Sequence, residues 1–258
     1  DNNYNYNGGL FIGYCWRANG GTTASNGSGS ITSTVQANTK AGFSIVTYTG
    51  NATNGATFGH GLSAKPSFVI IKNRDASQKW AVWHQSADMT DYKLLFLDTN
   101  SALTTEGTQR WDISAISNSV FGLGSHPEIN GSGADYVAYV WHDVEGYSKF
   151  GSYEGNNNAD GPFVYTGFRP RMVCIKGVDE AYSWFVFNSA RNTANLVDKH
   201  LRWDGTDTET TEPTGARRVD FFSTGFKIKA NAASLNGDND TYVYMCWGDV
   251  PAKYNNGF

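Results

Sequence analysis

A six-residue run ending in Trp occurs three times in this chain: YVAYVW at 136–141, YVYMCW at 242–247 and, in looser form, FIGYCW at 11–16. Each run is made of aromatic, β-branched and small apolar residues, the types that fit a pleated strand. Successive side chains of a strand point to opposite faces. In the middle run Tyr136, Ala138 and Val140 share one face, and Val137, Tyr139 and Trp141 share the other. Both faces are apolar, which predicts a strand covered on both sides, as at the centre of a sandwich.

The recurrence extends along the chain. YTGN (48–51) aligns with YEGN (153–156), FVIIK (68–72) with MVCIK (172–176), and WAVWH (80–84) with WFVFN (184–188). RWD (110–112) aligns with RVD (218–220), and NGSGADYVAYVWHD (130–143) with NGDNDTYVYMCWGD (236–249). Five ordered matches at offsets of 104 to 108 point to two copies of a unit of about 105 residues. The expected organisation is therefore an end strand of a preceding repeat, or a linker, over 1–16 and a Gly/Ser/Thr-rich linker over 17–41. One β-sandwich repeat is expected over 42–143, and a second, with a C-terminal tail, over 144–258.

Short aromatic or β-branched runs punctuated by Gly, Asn, Ser and Thr predict an all-β chain of two tandem jelly-roll or lectin-like sandwiches. A net charge of −4 without a basic stripe argues against nucleic acid as a partner. The lack of any apolar run near 20 residues argues against insertion of a helix into a membrane. Cys15 and Cys246 fall where Val140 stands in the third Trp-ended run, and Cys174 falls where Ile70 stands in the other copy. Such exchanges mark small core groups rather than disulfides or metal ligands.

Reactive chemistry is not evident. Local carboxylate pairs are Asp143 with Glu145 and Asp179 with Glu180, but only Asp143 recurs, as Asp249. Both recurring Asp residues directly follow a Trp-ended strand, which favours a turn role, and the chain is expected not to be an enzyme. The turns NNNADG (156–161) and NGDND (236–240) cluster oxygen ligands, with Asp160, Asp238 and Asp240 as calcium candidates. Asx-rich turns also form without metal, because Asn and Asp side chains bond their own backbone. No cofactor is expected. The remaining signal is aromatic surplus: 8 Trp, 14 Tyr and 15 Phe are more rings than two small cores need. Tyr and Trp combine a flat apolar face with a polar rim and suit sugar rings or protein contacts. Those in loops or at strand ends, Tyr92, Trp111, Tyr153, Tyr165, Tyr182 and Trp203, are the candidate ligand-binding residues. The candidate recognition loops are 51–61 and 99–109 in the first copy, and 156–161 and 204–216 in the second.

The passage YSKFGSYEGNNNADGPFVYTGFRPRMVCIK (147–176), with the ending TYVYMCWGDVPAKYNN (241–256), resembles a repeat of marine bacteriophage tail-fibre-like proteins. Gly151, Tyr153, Gly155, Asn156, Asp160, Gly161, Phe163, Thr166, Gly167, Phe168 and Pro170 carry the opening of that pattern, and Tyr242, Tyr244, Met245, Lys253 and Tyr254 its ending. The second copy fits throughout and the first loosely. The resemblance implies a module of a virion appendage that forms a homo-oligomer, trimers being usual for fibres, and touches other virion subunits. Its implied target is a host cell-surface glycan or outer-membrane protein. An architectural virion protein and a polysaccharide-degrading glycoside hydrolase are the alternatives.

Overall fold

The computed structural model describes residues 7–19, 21–212 and 215–249. Its first half contains β1 (Ala24–Asn26), β2 (Ser33–Asn38), β3 (Phe43–Thr49), β4 (Ala56–Gly59), β5 (Phe68–Asn73), β6 (Ala81–His84), β7 (Lys93–Phe96), β8 (Thr104–Thr105), β9 (Val120–Leu123) and β10 (Asp135–Trp141). The second half contains β11 (Ser148–Glu154), β12 (Phe163–Tyr165), β13 (Met172–Gly177), β14 (Phe185–Asn188), β15 (Lys199–Arg202), β16 (Thr210–Thr211), β17 (Val219–Phe222), β18 (Gly225–Ile228) and β19 (Thr241–Trp247). Two one-turn helices, α1 (Pro127–Asn130) and α2 (Ala233–Asn236), precede β10 and β19.

Each half has one large antiparallel sheet and one small one. The large sheets run β1-β2-β3-β10-β5-β6-β7-β8 and β11-β19-β13-β14-β15-β16, and the small ones β4-β9 and β12-β18-β17. The all-β sandwich architecture is as expected. In both large sheets the Trp-ended strand returns last and inserts between β3 or β11 and the apolar FVIIK or MVCIK strand. This position uses the two apolar faces of the run. Tyr136, Ala138 and Val140 enter a core shared with the small sheet of their half, and Tyr242, Tyr244 and Cys246 do the same in theirs.

Matching hydrogen bonds close the two halves. The Tyr136 hydroxyl donates to the Pro127 carbonyl and accepts from the Gly131 N–H; Tyr242 donates to Ala233 and accepts from Gly237. Stacked beside them, Tyr48 donates to the Ile129 carbonyl and Tyr153 to that of Leu235. Asn130 and Asn236, both fully buried, clamp the turns that follow β3 and β11. Asn236 accepts the Asn156 N–H at 2.8 Å and donates to the Asn158 and Ala230 carbonyls at 2.8 Å each. Asn236→Ala removes one acceptor and two donors from a dry site. A loss of about 2 kcal/mol in urea unfolding is expected, because each orphaned buried group costs on the order of 1–3 kcal/mol and relaxation recovers part.

The second faces of the large sheets pack on each other. Phe43, Phe68, Ile70, Val82, Leu95 and Trp141 of the first half share one core with Phe150, Met172, Cys174, Trp184, Val186, Val243, Met245 and Trp247 of the second. The molecule is thus four layers deep: small sheet, large sheet, large sheet, small sheet. Polar ties cross the central seam. Trp184 Nε1 donates to the Phe96 carbonyl at 2.8 Å, Gln85 Nε2 to that of Phe150 at 2.8 Å, and the Leu103 N–H to that of Val178 at 2.8 Å. Buried Lys176 bonds the Asn100 and Gly177 carbonyls, and burial pulls its pKa down to about 8.

Three expectations need correction. The 17–41 stretch is not simply a linker, because β1 and β2 extend the first large sheet and Ile31 and Val35 are buried in its core. Alternation of Ile31, Ser33, Val35 and Ala37 supplies an inward face despite the Ser/Thr-rich composition. The 11–16 run forms no strand, and among the described residues its backbone pairs with none of the sheets. Residues 1–6 and the 250–258 tail lie outside the described residues. Cys15 is exposed, unlike the buried Cys174 and Cys246, because the run that carries it has no second sheet face to enter.

Candidate functional site: an aromatic groove between the large sheets

The central seam is not sealed along its whole length. The two halves begin the hairpin arm after FVIIK or MVCIK with equivalent Trp residues. The Trp80 N–H donates to Asp98 Oδ1 at 3.1 Å and the Trp184 N–H to Asp204 Oδ1 at 3.0 Å. Trp184 is fully buried and plugs the seam. Trp80 stays half-buried, and a groove of about 670 Å³ opens beside it. Its floor is the seam-facing side of β3, β5 and β10, namely Phe43, Ile45, Phe68, Ile70, Tyr139 and Trp141. Trp80, Leu97, Trp203 and Trp247 form walls, and Tyr14, Cys15 and Trp16 cross the groove as a strap.

The three Trp residues of the recurring run meet here. Trp16 lies 5.8 Å from Trp141 and 5.2 Å from Trp247 between ring centroids, and Trp141 lies 6.2 Å from Trp247, all edge to face. Such pairs stabilise by about 0.5–1.5 kcal/mol each beyond area burial. Tyr14 meets Trp203 edge-on at 6.4 Å. The strap is held from behind by Asn38 Nδ2, which donates to the Arg17 carbonyl at 3.1 Å, and by Ala18, which is buried. Beneath the strap, Trp141 Nε1, Trp247 Nε1 and the Tyr14 hydroxyl are buried without hydrogen-bond partners among the described residues. Burial holds the Tyr14 pKa above its ordinary value, opposed by the charge of Arg191. Among the described residues Asp98 is the one carboxylate of the groove lining, and one of its oxygens already accepts the Trp80 N–H.

The six ring candidates from the sequence do not converge. Trp203 lines the groove. Trp111 and Tyr153 are corrections: both are core residues. Trp111 is fully buried with Nε1 donating to the Lys93 carbonyl, and Tyr153 stacks on Tyr242. Tyr92 is exposed on the first half, away from the groove. Tyr165 is exposed on the outer small sheet. Tyr182 packs against Gly177, where a Cβ would come within 2.7 Å of its ring, and burial raises its pKa. The groove residues that sequence reasoning passed over, Tyr14, Trp16, Trp80 and Tyr139, were visible as rings on a second apolar face with no assigned cover.

The loops and oxygen clusters also resolve. Loop 51–61 contains the buried strand β4, and loop 99–109 is tied across the seam through Asn100 and Leu103; neither is a free recognition loop. In loop 204–216, Asp207 pairs with Arg202 and Glu209 with Arg191. Asp160 pairs with Lys227 at 3.2 Å and Lys229 at 2.7 Å, and its pKa falls because Lys229, then Lys227, bond the carboxylate. Ammonium groups thus fill the place a calcium ion would need. Asp238 is exposed, and Asp240 lies beside the Tyr242 hydroxyl. Among the described residues no group of three His, Cys, Asp or Glu could hold a metal ion. Asp143 is engaged by Lys149 and by the Phe150 N–H, and an oxygen of Asp179 accepts the Thr241 N–H.

Two sandwiches fused through a common aromatic core, with a groove at the open end of their seam, define the class. Residues 1–251 match the family described as Domain of unknown function (DUF7483), and the chain belongs to that family. The match runs across both halves and the strap. No curated protein and no solved structure matches the chain.

Proposed function

We propose that this chain is a non-enzymatic recognition module of a virion appendage, and that the aromatic groove holds a glycan of the host surface. The observation that carries the reading is the groove itself: nine aromatic side chains around about 670 Å³, with one carboxylate at the mouth. Flat rings cover the apolar faces of pyranoses, and a carboxylate at the rim accepts from their hydroxyls. Glycoside cleavage needs two carboxylates about 5–10 Å apart across a cleft, and Asp98 stands alone on the lining. The likeness of residues 147–176 to tail-fibre-like repeats supports the virion setting.

Five Trp residues line the groove, so ligand entry is read directly by intrinsic fluorescence. Oligosaccharides selected on a glycan array should shift the emission and bind with saturation. Trp203→Ala should weaken binding by about tenfold or more, as expected when an aromatic anchor is lost, while the melting temperature changes little because Trp203 is only half-buried. If no array glycan binds, and the W203A protein blocks phage adsorption as well as the parent, the groove is not the recognition site.

A further inference from the structure

The two small outer sheets differ at one edge. In the first half, residues 26–33 cover the edge of β4. The Ile31 N–H donates to the Thr57 carbonyl at 2.9 Å, the Thr57 N–H donates to Ser30 Oγ at 2.9 Å, and Ser33 Oγ donates to the Gly59 carbonyl at 2.7 Å. The packing against Gly59 is close: a Cβ would sit 2.1 Å from Asn26 Oδ1, so the Asn26 side chain would have to shift.

Strand β12 occupies the same place in the second half. Thr57 lies opposite Gly122 and Gly59 opposite Val120, as Phe163 lies opposite Lys227 and Tyr165 opposite Gly225. The link before this half is too short to supply a covering hairpin, since β10 ends at Trp141 and β11 begins at Ser148. Hydrogen bonds from Ile228 to Pro162 and from Thr166 to Thr224 set the ladder on the β18 side. By antiparallel alternation the N–H and C=O groups of Phe163 and Tyr165 point to the other edge, where no described strand pairs with them. Where the first half has Thr57 and Gly59, this edge carries rings: Phe163 is 47% exposed and Tyr165 69%, with Phe222 at 40% lying 5.8 Å from Phe163. An open strand edge flanked by exposed apolar side chains is a template for another strand.

The same chain carries a matching piece. Leu10, Phe11 and Ile12 are 102%, 54% and 47% exposed, in a segment with no secondary-structure partner among the described residues, just before the strap. Gly9 and Gly13 flank them. We propose that copies of this chain associate head to tail, residues 9–13 of one copy pairing along the open β12 edge of the next. Main-chain bonds to Phe163 and Tyr165 take the place of the Ile31 N–H bond and the Ser30 Oγ bond that satisfy Thr57 in the first half, and Leu10 to Ile12 cover the exposed rings. The contact is heterologous, so assembly continues beyond a dimer unless a ring closes.

Sedimentation equilibrium on the full chain tests this. The parent protein should show a mass that rises with concentration past the dimer. The double variants F163S/Y165D and F11S/I12S, all at exposed positions, should each remain monomeric with unchanged melting temperatures. Mixed together, they should form a one-to-one heterodimer that grows no further, because one copy keeps only the segment and the other only the edge. A parent that stays monomeric up to near-millimolar concentration overturns the proposal. So does assembly by either variant alone, and so does a mixture that fails to pair.

Discussion

Trp184→Ala should destabilise the whole chain by about 3–5 kcal/mol, the range for truncating a large buried aromatic, and both halves should unfold in one transition. Trp184 is fully buried: it belongs to the second half and fills the core shared with the first. Its indole N–H donates to the Phe96 carbonyl across the seam. Truncation therefore opens a cavity between the large sheets and orphans a carbonyl on the far side. The sequence match of Trp80 to Trp184 provides the control, because Trp80 is a groove wall and not a plug. Trp80→Ala should cost about 1 kcal/mol, typical of partly exposed sites. Calorimetry reads the cooperativity directly, since the van't Hoff and calorimetric enthalpies agree only for a single transition. Two separated transitions, with only the second shifted in the W184A protein, would show that the halves fold on their own and that the central core joins them weakly.

The shared core explains which parts of the structure were legible in the sequence. Recurrence and period-2 alternation located the strands FVIIK, WAVWH, MVCIK and WFVFN, and placed the Trp-ended runs at sheet centres, because those features are local. What covers the second face of such a strand is not local. Tyr139 and Trp141 pointed to a cover, yet nothing in the sequence distinguished a second small sheet from the other half of the chain. Hence the sequence offers no signal that makes Trp80 and Tyr139 groove residues, and the loop or strand-end positions of Trp111 and Tyr153 do not show that their rings enter the cores. The run at 11–16 misled for a related reason. An apolar hexamer has strand propensity, but a strand needs a free edge to join, and β2 already occupies the β3 edge that faces away from β10. Tyr14 and Trp16 settle over the groove instead, and Leu10 to Ile12 are left outside. Calcium at Asp160 failed on partners distant in sequence, Lys227 and Lys229, that β18 brings alongside.

Stability should fall steeply as pH drops from about 6.5 to about 4. His60 and His84 are fully buried, and burial pulls both pKa values down to about 4, against the partial support of the Ser117 and Tyr244 carbonyls. His84 lies on the seam, with Nδ1 accepting the Ser86 N–H at 3.1 Å and Nε2 facing the Tyr244 carbonyl at 3.2 Å, which fixes a neutral ring with its proton on Nε2. The unfolded chain protonates these rings near their ordinary value of about 6.5 and the native chain near 4, so between those values the unfolded state binds more protons and acid favours it. A gap of that size corresponds to about 3 kcal/mol per ring once fully expressed near pH 4. Burial also lowers the pKa values of His126 and His200, which add to the effect in the same direction. Asp220, raised by burial, opposes it near the acid end. Asp160 does not contribute in this window, since its lysine pairs depress a pKa that already lies below it. His84→Gln keeps an acceptor and a donor without a titrating group. Urea midpoints measured from pH 7.5 to 4 should therefore show a shallower decline for H84Q than for the parent, the two curves converging in slope above pH 7. Parallel curves throughout would mean that His84 is already protonated in the native seam or is not buried there, and the packing of β6 against β19 would need revision.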